Sequence, residues 1–190
     1  MSSATDDLRA QIAALRIEVE KELADSRERL RYTLKRGRAT FDRETKREHR
    51  VLRLGLLRFF GNTRLLVALT APVIYSLIVP FVILDLFVTV FHAVCFPVYG
   101  IAKVRRADHF VMDRHLLAYL NPMEKLNCLY CSYGNGLISY VREIAARTEK
   151  YWCPIKHTRT TTDPHDLHGS FLDYGDAQAW RDHQDQRRNR

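Results

Sequence analysis

Three cysteines and one histidine in the C-terminal half of the chain have the spacing of a metal site. Cys128, Cys131, Cys153 and His157 follow the pattern C-x2-C-x21-C-x3-H. Two thiolates two residues apart can point at the same ion, and C-x3-H lets a sulfur and an imidazole converge. A Cys3His set matches the tetrahedral class of structural zinc sites. The sequence therefore predicts a zinc module over residues 127–157, whose folding is coupled to metal binding.

The residues around these ligands predict how they are positioned. Gly134 and Gly136 lie where a tight metal-binding turn needs backbone freedom. The apolar spacing in residues 137–150 predicts one helix that leads back to Cys153, and Pro154 would end it.

Other chemistry is compatible with the same residues. Iron could use the four ligands with Cys95 added, and the CxxC pair could act in thiol redox chemistry with Cys153 as a third thiol. The thioredoxin-like strand and helix that usually carry such a pair are not predicted. His165 and His168 could supply a further ligand or lie in solvent. The simplest alternative is a set of buried cysteines without metal.

A long apolar run precedes this module. Residues 65–102 contain no Lys or Arg and one acid, Asp85. A helical span needs about 20 residues, so the run is long for one span and short for two. Pro72, Pro80 and Pro97 subdivide it. Because basic residues flank the run on both sides, we expect a membrane hairpin, or a re-entrant loop, that turns near residues 79–80. The alternatives are one long tilted span kinked at Pro80, or a buried soluble core.

Two ionisable residues lie inside the apolar run. Asp85 and His92 are seven residues apart with Thr89 between them, so a helix places all three on one face. Such groups at membrane depth are often functional. They predict a possible intramembrane polar site that receives a proton, binds a metal or pairs internally. The alternative is that Asp85 lies near the interface or forms a hydrogen bond within the hairpin.

Basic residues flank the run on both sides. Residues 44–64 hold six Lys or Arg and residues 103–125 hold five, which predicts that both termini are cytoplasmic. Residues 51–64 read as a basic interfacial helix and residues 103–126 as an amphipathic juxtamembrane segment. A lipid bilayer is the expected partner. Nucleic acid is disfavoured because no recognition signature is present.

The two ends of the chain differ in character. Residues 1–50 form a charged arm that contains a predicted helix over residues 6–36, with apolar residues spaced as in a coiled coil. This predicts a homo-oligomer through residues 6–34, or else a solvated helix. The polar, acidic start predicts no secretory signal, so the thiols are expected to be reduced. Residues 158–190 are predicted to be a weakly structured tail, with a short piece around residues 171–180 docked on the module.

The run from Tyr119 to His157, with YLNPMEKLNCLYCSYGNG and EIAARTEKYWCPIKH, resembles a group of small uncharacterised bacterial inner-membrane proteins. The resemblance implies a location and an architecture and implies no mechanism. The sequence as a whole predicts a mainly α-helical protein, anchored in a bacterial inner membrane and stabilised by zinc. We expect it to act in interaction or assembly without catalysis. The alternative is a redox or metal-handling membrane protein.

Overall fold

The computed structural model describes residues 2–35, 38–61, 65–159 and 161–188. The described residues are mainly helical, as the sequence predicts. They form two compact units. The first combines Met1–Asn62 with Asp113–Leu126, and the second combines Thr63–Met112 with Asn127–Arg190.

The first unit begins with a long helix and a small β-hairpin. Its elements are α1 (Ser2–Arg29), β1 (Tyr32–Lys35), β2 (Arg38–Phe41), α2 (Arg43–Val51) and α3 (Leu56–Gly61). The helix predicted over residues 6–36 is therefore too long. Arg31 takes a left-handed conformation with φ 52°, which ends the helix and turns the chain into β1. Tyr32 then lies opposite Phe41 in the antiparallel pair.

The structure does not form the single interfacial helix predicted over residues 51–64, because α2 ends at Val51 and α3 covers Leu56–Gly61. Asp42 caps α2, because its carboxylate accepts the backbone N–H of Thr45 at 2.6 Å. That hydrogen bond lowers the pKa of Asp42. α2 ends at Val51, where the sequence predicts that the amphipathic pattern starts, and α3 is a separate element of six residues.

The second unit is organised around one long apolar helix. α4 (Leu65–Ser76) and α5 (Ile78–Tyr99) are separated by a single residue, Leu77. Together they give one apolar helix of 35 residues, Leu65–Tyr99, that is long enough to cross a membrane. The predicted hairpin was wrong. Leu77 keeps a right-handed helical conformation, and Pro80 is the third residue of α5, where a missing N–H is tolerated.

Helix α6 (Pro122–Trp152) runs parallel to the apolar helix. Near its start, the Tyr75 hydroxyl donates a hydrogen bond to the Asn127 side chain. Near its end, Nη1 of Arg147 donates to the carbonyl of Ala102 at 2.7 Å. The helix predicted over residues 137–150 is thus the second half of a helix of 31 residues.

The start of α6 is fixed by its cap. The Asn121 N–H donates to Glu124 at 2.8 Å, and the Glu124 N–H donates to the Asn121 side chain at 3.0 Å. This is a capping box followed by proline at the first helical position. The predicted break at Asn121-Pro122 is therefore the boundary where α6 begins.

Residues 100–112, here called the return segment, bring the chain back between α5 and α6. Gly100 ends α5 with φ 66°, a conformation that favours glycine. Phe96, Val104, Tyr140 and Ile144 form the buried core of the unit. α5, the return segment and α6 thus each contribute side chains to one small core.

The C-terminal segment is ordered, in contrast to the predicted loose tail. The Leu172 N–H donates to the Pro154 carbonyl at 2.7 Å, and the Lys156 N–H donates to the Leu172 carbonyl at 2.8 Å. Phe171 is buried, and helix α7 (Ala177–Arg188) follows. The predicted docking of residues near 171–180 therefore occurs through Phe171 and Leu172.

Replacement of Gly136 by valine is expected to destabilise the protein by about 1–3 kcal/mol, because it overfills a packed contact. A Cβ atom at this position would lie 3.0 Å from the carbonyl oxygen of His109 and 3.0 Å from the Phe110 ring. Thermal and urea unfolding of the purified protein measure the change. Gly169→Val is the control, because nothing lies within 4 Å of that position. Equal stability of the two variants would contradict the close packing.

Candidate functional site: a polar network beside the apolar helix

The carboxylate of Asp85 forms a bidentate ion pair on the side of α5. Arg106 of the return segment donates from Nη1 to Oδ1 at 2.5 Å and from Nη2 to Oδ2 at 2.7 Å. The Tyr133 hydroxyl of α6 also donates to Oδ2 at 2.9 Å. Bidentate, charge-assisted hydrogen bonds of this kind are among the stronger polar interactions in proteins. One carboxylate therefore joins α5, the return segment and α6.

Aromatic rings surround the Arg106 guanidinium. Its central carbon lies 4.0 Å from the centroid of the Phe110 ring and 5.5 Å from that of Tyr140, so cation–π attraction adds to the ion pair. The hydrogen bonds to Asp85 raise the pKa of Arg106. The pKa of Tyr133 is raised by burial first and by its hydrogen bond to Asp85 second. Both groups stay protonated at neutral pH.

His92 forms a second set of contacts, about two helical turns along α5. Its Nε2 accepts the backbone N–H of Val104 at 2.9 Å, and its Nδ1 lies 3.1 Å from the Tyr140 hydroxyl. Because Nε2 acts as an acceptor, a neutral ring carries its proton on Nδ1 and donates it to Tyr140. Burial raises the pKa of Tyr140. The ring of His92 also packs edge-on against Phe96, with centroids 4.6 Å apart.

The structure therefore gives the two ionisable residues of the apolar run separate partners. Asp85 binds an arginine and a tyrosine, and His92 binds a backbone amide and a second tyrosine. In each case one partner is on the return segment and the other on α6. The arrangement can hold the mostly irregular return segment, which has one 3-10 turn at Arg106–Asp108, against an apolar helix. Thr89 supports it with a hydroxyl 3.3 Å from Asp85 Oδ1.

The four predicted metal ligands are not brought together. Cys128 and Cys131 lie within α6, whereas Cys153 follows its last residue, Trp152. At about 1.5 Å per residue, α6 separates Cys131 from Cys153 by about 33 Å, while zinc–sulfur bonds are about 2.3 Å long. The predicted metal-binding turn at Gly134 and Gly136 was wrong, because both glycines lie inside the helix.

Three histidines, His157, His165 and His168, lie close together near the C-terminal end of α6. His157 stacks on His168 with ring centroids 6.2 Å apart, and His165 lies 3.0 Å from Glu149. Within the described ranges, no group of three or more His, Cys, Asp or Glu residues could hold a metal ion. Zinc or iron at Cys128, Cys131, Cys153 and His157 stays a prediction. Cys95, the other expected iron ligand, is half-buried in α5.

Sequence reasoning missed the partners of Asp85 and His92. An acid in an apolar helix indicates that some base must reach it, and Lys103, Arg105 and Arg106 are the nearest in sequence. Their order alone does not distinguish them. Tyr133 and Tyr140 are seven residues apart, which matches the spacing of Asp85 and His92 and is a signal that could have been used.

Comparison with protein-family models, with curated protein sequences and with solved structures finds no match to this chain. Its resemblance to small bacterial inner-membrane proteins therefore stays a prediction.

Replacing Asp85 by asparagine is expected to destabilise the protein by about 1–2 kcal/mol. The substitution leaves the Arg106 cation without an acidic partner, and breaking a buried ion pair usually costs more stability than this. The cost is smaller here because the Arg106 side chain is 42% exposed. Adding Arg106→Gln should recover part of the loss. Urea unfolding of the single and double variants gives the coupling energy.

The matched control is Asp108→Asn. Asp108 pairs with Arg105 at 3.9 Å with both side chains well exposed, so the expected change is below about 0.5 kcal/mol. If Asp85→Asn were as stable as Asp108→Asn, the ion pair would not hold the return segment in place.

Proposed function

We propose that this protein is a membrane-anchored interaction protein whose apolar helix lies within the cytoplasmic leaflet instead of crossing the bilayer. The observation that carries the proposal is the two-sided character of α5. One side is covered by the return segment and α6, and the other exposes apolar side chains.

The exposed side of α5 forms a continuous apolar stripe. Its large side chains recur at helical spacing and are between about half and three-quarters exposed: Val82, Leu86, Val90, Val94 and Val98. Exposed apolar surface of this extent marks a site of contact with lipid or with another protein. The basic residues on both sides of the apolar run favour an anionic lipid surface.

The covered side of α5 carries charge. Arg105 and Asp108 neighbour Arg106 in the return segment, and their side chains are 81% and 59% exposed. Charged groups are costly in the hydrocarbon layer. A helix with acyl chains on one side and solvated charges on the other has the character of an interfacial anchor.

The length of the apolar helix supports the same orientation. At about 1.5 Å per residue, Leu65–Tyr99 extends over about 52 Å, whereas the hydrocarbon layer is about 30 Å thick. A shallow orientation accommodates this length and keeps both flanking basic segments on one side. In this proposal both termini are cytoplasmic and the membrane is a bacterial inner membrane.

The α1 helix supports the interaction part of the proposal. Ile12, Leu15, Val19 and Leu23 form a stripe on this helix, and all four side chains are exposed. A second copy of the chain could bury this stripe in a coiled coil. Stabilisation by zinc is not needed for this function. The redox alternative would use Cys128, Cys131 and Cys153 together, and α6 places Cys153 about 33 Å from Cys131.

Membrane attachment is expected to weaken when two residues of the exposed stripe become charged. The double variant Leu86→Lys, Val90→Lys should move from the alkali-resistant membrane fraction to the supernatant, because two ammonium groups would enter the acyl layer. Immunoblotting of the fractions measures the shift. Val111→Lys, Ile138→Lys is the control, since both residues are exposed outside α5. Equal retention of both variants would contradict attachment through this stripe.

Both ends of the chain are expected to be protected in intact spheroplasts. Single cysteines are placed at Ser3 and at Arg181 in a variant without its native cysteines. A membrane-impermeant maleimide should label neither position before lysis and both after lysis. Labelling of one position in intact cells would show that the helix crosses the membrane.

A further inference from the structure

A cavity of about 470 Å³ lies where the end of α5 meets the last turns of α6 and helix α7. This volume is in the range of small-molecule sites in proteins. The residues that decide its chemistry are Tyr99, Arg147, Lys150, Tyr151, His183 and Arg187. No part of the polar network around Asp85 lines it.

Positive charge exceeds negative charge in the lining. Glu143 is the acid among the lining residues, and Nε of Arg147 donates to it at 2.7 Å. Arg147 is also bound to the Ala102 carbonyl at 2.7 Å, so it serves to join the segments. Lys150 and Arg187 form no ion pair in the part of the chain that the structure describes. Two cations are therefore available to an anion.

Contacts within the protein position Arg187. Its guanidinium lies 4.6 Å from the centroid of the Trp152 ring, and Nη2 donates to Gln184 at 2.7 Å. Nε2 of the neighbouring His183 lies 3.2 Å from the Tyr151 carbonyl. α7 is thereby held against the end of α6, and Arg187 does not need to be ordered by a ligand.

An aromatic cluster marks the level of this cavity. Tyr99, the last residue of α5, stacks on Tyr151 with centroids 5.3 Å apart and planes 17° apart, and Trp152 packs edge-on against Tyr99. Tyrosine and tryptophan at the end of an apolar helix are typical of the headgroup level of a membrane. On a protein attached to a bilayer as proposed above, these rings would place the cavity near the phosphate groups of the lipids.

We propose that this cavity binds the phosphate of an anionic phospholipid headgroup, held by Lys150 and Arg187. Basic pockets beside membrane helices on the cytoplasmic side recognise such headgroups. The inference rests on the proposed membrane attachment, because a lipid can reach the cavity only if α5 lies in the bilayer. It adds that attachment is selective for the charge of the lipid.

The test uses the full chain purified in a neutral detergent. Short-chain phosphatidylglycerol, short-chain phosphatidylcholine and inorganic phosphate are each titrated while the thermal unfolding temperature is recorded. Phosphatidylglycerol should raise this temperature with saturation, and the other two should not. The double variant Lys150→Gln, Arg187→Gln should need about 25-fold more phosphatidylglycerol, which is about fivefold for each lost cation.

A control variant separates binding in the cavity from general attraction to charge. Lys46→Gln, Arg181→Gln loses the same charge from positions outside the cavity lining, and it should bind like the natural protein. Equal weakening of both double variants would overturn the proposal. Protection by inorganic phosphate at the same concentration as by phosphatidylglycerol would overturn the assignment to a lipid.

Failure of this inference differs from failure of the proposed function. Co-sedimentation with vesicles of pure phosphatidylcholine measures attachment alone, and the Lys150→Gln, Arg187→Gln variant should sediment as well as the natural protein. If both sediment but phosphatidylglycerol gives no preference, the headgroup site is wrong and the anchor stands. If the natural protein does not sediment with either vesicle, both proposals are wrong.

Discussion

The ion pair between Asp85 and Arg106 is the constraint on which the second unit depends. An unpaired carboxylate on an apolar helix would be strongly unfavourable beside lipid, and an arginine can hardly pack there without an acid. Arg106 Nη2 and the Tyr133 hydroxyl both donate hydrogen bonds to Asp85 Oδ2. Each charged group therefore has hydrogen-bond partners within the protein. The pair thereby allows a charged segment to lie against one side of α5.

This packing answers a problem of topology. α6 runs parallel to α5, so the chain must travel back before α6 begins. This path is mostly irregular and contains two short 3-10 turns, Arg106–Asp108 and Arg114–Leu116. Backbone groups of such a path need partners wherever water is excluded. His92 accepts the N–H of Val104, and Arg147 donates to the carbonyl of Ala102. Polar side chains of both helices thus form hydrogen bonds with backbone groups of the segment between them.

Much of the architecture follows from periodicity and composition, whereas the contacts do not. The apolar run and α1 are visible as patterns, although the run alone does not distinguish one long helix from a hairpin. The capping box at Asn121 and Glu124 with Pro122 predicts the start of α6 once it is sought. The CxxC spacing suits a metal-binding turn and one turn of helix equally well. In the sequence, Gly134 and Gly136 favour the turn. In the folded chain they allow Phe81 and Phe110 to approach α6 closely, which is a property of packing that sequence order does not display.

The same packing determines which apolar surface of α5 stays exposed. Because the return segment and α6 occupy one side of α5, the stripe through Leu86 and Val90 is the side that remains exposed. Fully burying one such side chain contributes about 1.5–3 kcal/mol, so a stripe of several provides a strong tendency to leave water. In the proposed anchor, the basic residues on both sides of the apolar run and the aromatic cluster at Tyr99 would face lipid headgroups. Sorting charge and apolar surface to opposite sides of one helix is therefore a consequence of the Asp85–Arg106 pair.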